Sequence, residues 1–129
     1  MAEVELHYRL EGEDVLGGSA KLLLQAWHTL PELQSRTLEQ YMQDNIRLLV
    51  SYNRLEVHVV ENGAVVGGVV LVDLVDIHYG RVLCVMHAFG KAAPALKKAY
   101  EVGRELGFKW LMRSSRLSST KYLTLYRRL

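Results

Sequence analysis

Residues 55–89 constrain the fold more than any other part of the chain. They read LEVHVVENGAVVGGVVLVDLVDIHYGRVLCVMHAF, an apolar run interrupted by only two turn signals. Asn62-Gly63 is the stronger signal, because a two-residue hairpin turn needs left-handed backbone at both positions. His78-Tyr79-Gly80 marks the second turn. The stretch therefore predicts three antiparallel strands, which span Leu55–Glu61, Ala64–Ile77 and Arg81–Ala88.

Helical patterns flank this stretch on both sides. Thr37 and Gln40 have the spacing of a capping box, in which each side chain satisfies an amide at the start of a helix. Ser19 is placed to cap an earlier helix with a continuous apolar stripe. Pro94 falls where proline is tolerated, in the first turn of a helix over Ala93–Leu106.

The remaining segments complete a mixed α/β sheet. The alternating Val4–Leu10 predicts a first strand, and Phe108–Arg113 predicts a fifth. Ser118 or Ser119 would cap a last short helix in TKYLTLYRRL. The predicted order is β-α-α-β-β-β-α-β-α, with helices on both faces of the sheet. The length of 129 residues suits a single domain over 1–129.

Charge is distributed unevenly along the chain. Residues 1–90 hold 6 basic and 12 acidic side chains, whereas residues 91–129 hold 10 basic and 2 acidic ones. The basic C-terminal third suits a phosphorylated ligand, a nucleic acid or an acidic partner, or it is simply a solvated face. Nucleic acid is the least favoured partner, because the segment lacks interleaved aromatic and basic residues.

Other features exclude several classes of protein. No apolar run approaches the roughly 20 residues of a membrane helix. The single cysteine, Cys84, lies in an apolar run and argues against disulfides, so a cytoplasmic location is expected. His7, His28 and His58 lack the spacing of a metal site, and no metal is expected.

The stretch HAFGKA at residues 87–92 lies between a predicted strand and a predicted helix. It resembles the pyrophosphate loop of the GCN5-related N-acetyltransferase (GNAT) family, Gln/Arg-x-x-Gly-x-Gly/Ala, and the element order resembles that family too. The resemblance implies an acyl-CoA N-acyltransferase-like fold and acetyl-CoA as co-substrate. The backbone of Val85 and Met86 would face the pantetheine arm, and Gly90 would let the loop approach the diphosphate. The implied coenzyme-binding residues are Val85, Met86, His87, Ala88, Phe89, Gly90, Lys91, Ala92 and Ala93.

The resemblance also implies catalytic roles. Tyr126 occupies the place of a tyrosine that protonates the departing thiolate, although its spacing from Tyr122 fits a packed helix face equally well. A base for the amine would come from Asp73, Asp76 or His78, which lie on or after the long third strand. Each of these could instead be an ordinary exposed residue.

Two classes of function stay open at this stage. One is an N-acetyltransferase that acts on an unidentified amine. The other is a non-catalytic binding or assembly protein, similar to the small acetyltransferase-like proteins of short-tailed phages, some of which are packaged in the virion.

One departure from the family bears on partners. Family members continue past the last helix into a C-terminal hairpin, which this sequence is expected to lack. The strand over 108–113, with Trp110 and Met112, would then have an open edge, and open edges favour pairing with another chain. A homo-oligomer or a hetero-assembly through this strand is expected.

Overall fold

A computed structural model describes residues 2–29, 36–116 and 121–129. The described residues form six strands and three helices. Their bounds are β1 Ala2–Arg9, α1 Gly17–Thr29, α2 Leu38–Val50, β2 Arg54–Glu61, β3 Ala64–Asp76, β4 Gly80–Gly90, α3 Ala93–Glu105, β5 Trp110–Arg116 and β6 Tyr122–Arg128.

All six strands belong to one sheet, and their spatial order follows the order along the chain. Every neighbouring pair is antiparallel except β4 and β5, which are parallel and are joined through α3. Asn62 and Gly63 both have positive φ, of 51° and 76°, and connect β2 to β3. The predicted hairpin turn and the predicted crossover are therefore confirmed.

The sheet carries α3 on one face and the α1–α2 pair on the other. Val57 and Leu71 belong to the core cluster that includes Ala99 of α3. Val70 points to the opposite face, where its cluster includes Leu23 of α1 and the buried residues of α2. This arrangement is the predicted mixed α/β sheet with helices on both faces. None of the helices in the described ranges has the length and apolar character needed to cross a bilayer.

The start of α2 matches its predicted cap. Thr37 accepts a hydrogen bond from the Gln40 amide at 3.1 Å, and the Gln40 side chain accepts one from the Thr37 amide, also at 3.1 Å. The prediction for Ser19 is wrong, because α1 already begins at Gly17. Ser19 lies inside the helix, buried, with its hydroxyl 3.0 Å from Nε2 of His58.

The C-terminal segment is a strand and not the predicted helix. Over its full length, from Tyr122 to Arg128, β6 pairs with β5 in antiparallel register. Its alternating aromatic, β-branched and leucine residues suit a strand, and pairing satisfies the backbone groups along the second edge of β5. The fifth strand therefore has an intrachain neighbour, contrary to expectation, and the sheet does end in an antiparallel pair. The predicted caps Ser118 and Ser119 lie outside the described residues.

Candidate functional site

The strands β4 and β5 separate midway along their length. Only Leu83 and Cys84 of β4 pair with β5, opposite Leu111 and Met112. Beyond this point β4 continues to Gly90 without a strand partner on that side among the described residues, while β5 turns to pair with β6. A gap therefore opens between the carboxyl-terminal halves of two parallel strands.

A bulge in β4 lies at the mouth of this gap. The register with β3 shifts between Val70, which pairs with His87, and Leu71, which pairs with Val85. Met86 is thus the extra residue in β4. A bulge bends its strand and re-aims the backbone, so it helps β4 to diverge from β5.

The loop from β4 to α3 is held tightly against β3. Gly90 has φ of 55°, and a Cβ atom at this position would collide with the carbonyl oxygen of Val66. The Lys91 amide donates to that same carbonyl at 3.0 Å. The close approach of the loop to β3 therefore requires a glycine at this position.

The start of α3 retains unbonded backbone donors. The Ala92 amide donates to the Gly90 carbonyl, and Ala92 caps the helix without a side-chain hydrogen bond. Within the described residues, the amides of Ala93 and Ala95 have no hydrogen-bond acceptor, but Ala95 is fully buried, so only the Ala93 amide is open to a ligand. Unbonded amides and the positive end of the helix dipole together favour an anion at this position.

The lysines around the loop differ in their availability. Lys91 contacts Glu61 at 3.3 Å, and Lys98 contacts Glu101 at 3.4 Å. Lys97 is exposed and forms no ion pair with any described residue. Lys97 is therefore the cation most available to an anionic ligand at the start of α3.

His87 lies on the face of β4 that also carries Phe89, and the two rings stack with centroids 5.3 Å apart. Burial lowers the pKa of His87, which favours the neutral imidazole. Its Nε2 atom is buried and has no hydrogen-bond partner among the described residues. His87 is therefore a neutral ring with one unused polar atom beside the gap.

Tyr126 lies on β6 opposite Met112, in the last row where β4 and β5 still pair. Its hydroxyl donates a hydrogen bond of 2.7 Å to Oδ1 of Asp76. The Tyr126 ring also stacks on Tyr79, with centroids 4.2 Å apart, and Tyr79 meets Trp110 edge-on. A strand position, and not a helix, thus brings Tyr126 to the end of β3.

Asp76 is held by three donors. Besides Tyr126, the backbone amides of His78 and Tyr79 donate to Oδ2 at 2.8 and 2.9 Å. The bond from Tyr126 is the main cause that lowers the pKa of Asp76, and it also raises the pKa of Tyr126. Near neutral pH the pair is therefore a carboxylate beside a protonated phenol.

The other two catalytic candidates are not part of this pair. Asp73 forms an exposed ion pair with Arg81 at 2.9 Å, next to a cleft of about 250 Å³ that Phe108 also lines. It lies on the α3 face of β3, since side chains alternate along a strand and Leu71 belongs to that face. His78 is exposed in the turn, and its backbone amide donates a hydrogen bond to Asp76. Among the three weighed acids and bases, Asp76 alone contacts Tyr126, and its place next to the turn was the available sequence signal.

Comparisons with known proteins bear on the fold. The sequence matches no protein-family model and, by sequence, no curated protein. A ribosomal-protein-alanine N-acetyltransferase from Brucella melitensis biovar Abortus 2308 superposes with a TM-score of 0.53, 16% identity and coverage of 91% of this chain and 82% of that one. An aminoglycoside acetyltransferase from an uncultured soil metagenomic sample superposes with a TM-score of 0.51 and 17% identity, and the match covers 90% of this chain and 82% of that one. An acyl-CoA N-acyltransferase from Pseudomonas aeruginosa superposes with a TM-score of 0.51 and 11% identity, and the match covers 88% of this chain and 80% of that one. The chain therefore has the acyl-CoA N-acyltransferase-like fold that its resemblance to the GNAT family implied.

Proposed function

We propose that the protein is an acyl-CoA-dependent N-acyltransferase, with acetyl-CoA as acyl donor and an amine as acceptor. The observation that carries the proposal is the separation of β4 from β5 after Cys84. An extended pantetheine arm is strand-like and needs backbone partners. The unpaired edge of β4 from Val85 and Met86 onward offers such partners in a gap that the fold already holds open.

The start of α3 fits the diphosphate of the coenzyme. The free amide of the exposed Ala93 lies at the positive end of the helix, and Lys97 adds a nearby cation. Both α3 and β5 come from the basic segment over 91–129. An anionic ligand that reaches the gap would therefore meet a favourable field.

We assign the proton donor to the Asp76–Tyr126 pair: Tyr126 lies level with Cys84, where the gap begins, and its hydroxyl is directed to Asp76, which pairs with Gly80 at the start of β4. During acyl transfer the amine nitrogen forms a bond to the thioester carbon, and the carbon–sulfur bond breaks. Tyr126 gives its phenolic proton to the departing thiolate, while the proton of the amine leaves to water. Asp76 is a positioning residue that orients the phenol through its hydrogen bond.

Ala93→Asp tests the coenzyme site without threatening the fold. Ala93 is exposed in the first turn of α3, where a carboxylate interacts favourably with the helix dipole. The same charge repels a diphosphate, so we expect the dissociation constant of coenzyme A to rise at least about 10-fold. Isothermal titration calorimetry of the full chain measures it.

Ala93→Asn is the matched control, because it has the same shape without the charge. It should bind coenzyme A nearly as well as the parent. Equal affinity of the Asp and Asn variants for coenzyme A would show that the diphosphate does not bind at the start of α3. Binding without turnover over a panel of amines would favour the non-catalytic alternative.

A further inference from the structure

A second polar cluster lies at the other side of the sheet, on β1 and β2. Glu5 and His7 are two residues apart on β1 and therefore share a face. His58 on β2 pairs with Glu5 across the ladder. The strand β3 lies between this cluster and β4, which borders the gap, so the cluster is separate from the proposed coenzyme site.

The potential ligand atoms of the three side chains converge. Nε2 of His7 lies 3.2 Å from Oε1 of Glu5, and the rings of His7 and His58 have centroids 5.0 Å apart. One ligand atom from each of the three residues lies within 4.8 Å of the other two. Two imidazoles and one carboxylate are a donor set that suits zinc.

We propose that Glu5, His7 and His58 bind a divalent transition metal ion, with Zn²⁺ as the preferred ion. Bonds of about 2.0–2.2 Å at tetrahedral angles place ligand atoms about 3.3–3.6 Å apart. The Glu5–His7 distance already has this scale. Only the approach to His58 must shorten, by little more than about 1 Å.

The exposure of the three residues suits such an adjustment. His58 is 4% exposed, and the hydroxyl of Ser19 holds its ring through Nε2. The side chains of His7 and Glu5 are 36% and 48% exposed, so they are able to rotate toward a bound ion. One ligand is therefore fixed by the core, and two close on the ion from the surface.

A buried carboxylate next to His58 gives independent support for a cation at this cluster. Glu56 is fully buried, and its Oε2 accepts a hydrogen bond from Arg54 at 3.1 Å. Its Oε1 has no partner among the described residues and lies 4.0 Å from Nε2 of His58. Glu5 and Glu56 carry two negative charges, whereas Arg54 supplies one positive charge. Because Ser19 occupies Nε2 of His58, an ion would bind at Nδ1, and its positive charge would offset the remaining negative charge.

Three protein ligands leave a fourth position for water. The ion would join the edge strand β1 to the interior strand β2, and through Ser19 to α1. The primary effect we expect is therefore stabilisation of this side of the sheet. A search for ligand spacing along the sequence does not detect a site whose ligands come from two paired strands.

Titration with Zn²⁺ alone tests the proposal on the full chain after treatment with a chelator. We expect one equivalent to bind by calorimetry and the melting temperature to rise on its addition. Since loss of an outer-shell partner already costs about 10-fold in affinity, His7→Gln and Glu5→Gln should each cost at least about that much. Both residues are partly exposed, so the variants should fold.

His28→Gln is the matched control, because His28 is exposed on α1 and distant in sequence from the cluster. It should bind Zn²⁺ as the parent does. Absence of binding by the parent would overturn the proposal, and so would equal binding by the parent, His7→Gln and Glu5→Gln.

Discussion

At the scale of single residues, the Asp76–Tyr126 hydrogen bond is the contact that most resembles catalytic machinery. It joins residues that are 50 positions apart in the chain, at 2.7 Å. Its electrostatic effect is reciprocal, since it favours the ionised carboxylate and the protonated phenol together. Asp76 by itself is therefore a weak base, and the pair is better suited to giving a proton than to taking one.

Tyr126→Phe should lower turnover by roughly 10²-fold, because it removes the proposed proton donor to the leaving thiolate. The affinity for coenzyme A should stay within error, since the ring remains in place. Steady-state kinetics and calorimetry on the same preparation separate the two quantities. Tyr122→Phe is the control on the same strand, as Tyr122 is 58% exposed and has no described hydrogen bond.

The pH profile distinguishes an acid from a packing residue. If Tyr126 must be protonated, activity falls as the pH rises through the pKa of Tyr126, which Asp76 raises above its usual value. Asp76→Asn removes the main cause of that rise, so the alkaline limb should move to lower pH. A limb that stays in place in Asp76→Asn, or full activity of Tyr126→Phe, would show that Tyr126 is not the acid.

At the scale of elements, the contact between β3 and the β4–α3 loop fixes where α3 begins. Gly67 pairs with Gly90, and added Cβ atoms on either glycine would collide with backbone of the opposite segment. The two glycines therefore act together to bring the loop close to β3. The free amides of α3 depend on this approach for their position.

Gly90→Ala should lower the free energy of unfolding by about 2–4 kcal/mol, from a strained positive φ and from the collision with Val66. Gly80→Ala provides the comparison, because Gly80 has φ of 74° and no atom near its missing Cβ. It should cost only the backbone strain, about 1 kcal/mol. Urea denaturation measures both, and equal losses would contradict a packing role for Gly90.

The elements that the sequence predicted well are those with local signals. The turn at Asn62-Gly63 and the capping box of α2 depend on residues within four positions of each other, and both were correct. The segment over 122–128 fits a helical stripe and a strand alternation about equally. Its strand state depends on the free edge of β5, a non-local contact that no local pattern encodes.

In the candidate site, too, the local features were predictable from the sequence and the non-local contacts were not. The strand, the crossover helix and the parallel strand around the gap were predictable from patterns, whereas the bulge at Met86 and the early end of the β4–β5 pairing were not. The partner of Tyr126 was not, because the wrong element was assigned to it. The Glu5, His7 and His58 cluster was missed for a similar reason, since it exists only through the register of β1 with β2.

At the scale of the whole molecule, the sign of the net charge changes from one side of the sheet to the other. The segment over 1–90 carries β1 to β4, with 6 basic and 12 acidic residues, and the segment over 91–129 carries α3, β5 and β6, with 10 basic and 2 acidic ones. Since spatial order follows chain order, the sheet has an acidic side and a basic side. The gap between β4 and β5 lies where the acidic segment meets the basic one, and its β5 side belongs to the segment that attracts anions.

The pairing of β5 with β6 changes what is expected of assembly. An open fifth strand would have made Met112 an interface residue, whereas the structure places it half-buried between Cys84 and Tyr126. The outer strands of the described sheet are β1 and β6. Assembly of the chain stays a prediction, and β6, with Tyr122 and Leu123 exposed, is now the place on the basic side to test it.

Met112→Lys should destabilise the fold without changing the oligomeric state. An ammonium group between Cys84 and Tyr126 loses hydration and apolar contacts, which should cost about 1–3 kcal/mol of unfolding free energy. Leu123→Lys, on a strand edge where the side chain is 47% exposed, should cost less than about 0.5 kcal/mol. Urea denaturation and light scattering at matched concentrations measure stability and mass together. A Met112→Lys protein of unchanged stability and smaller mass than the parent would mean that the fifth strand is an interface after all, whereas a fall in mass for Leu123→Lys alone would place the interface on β6.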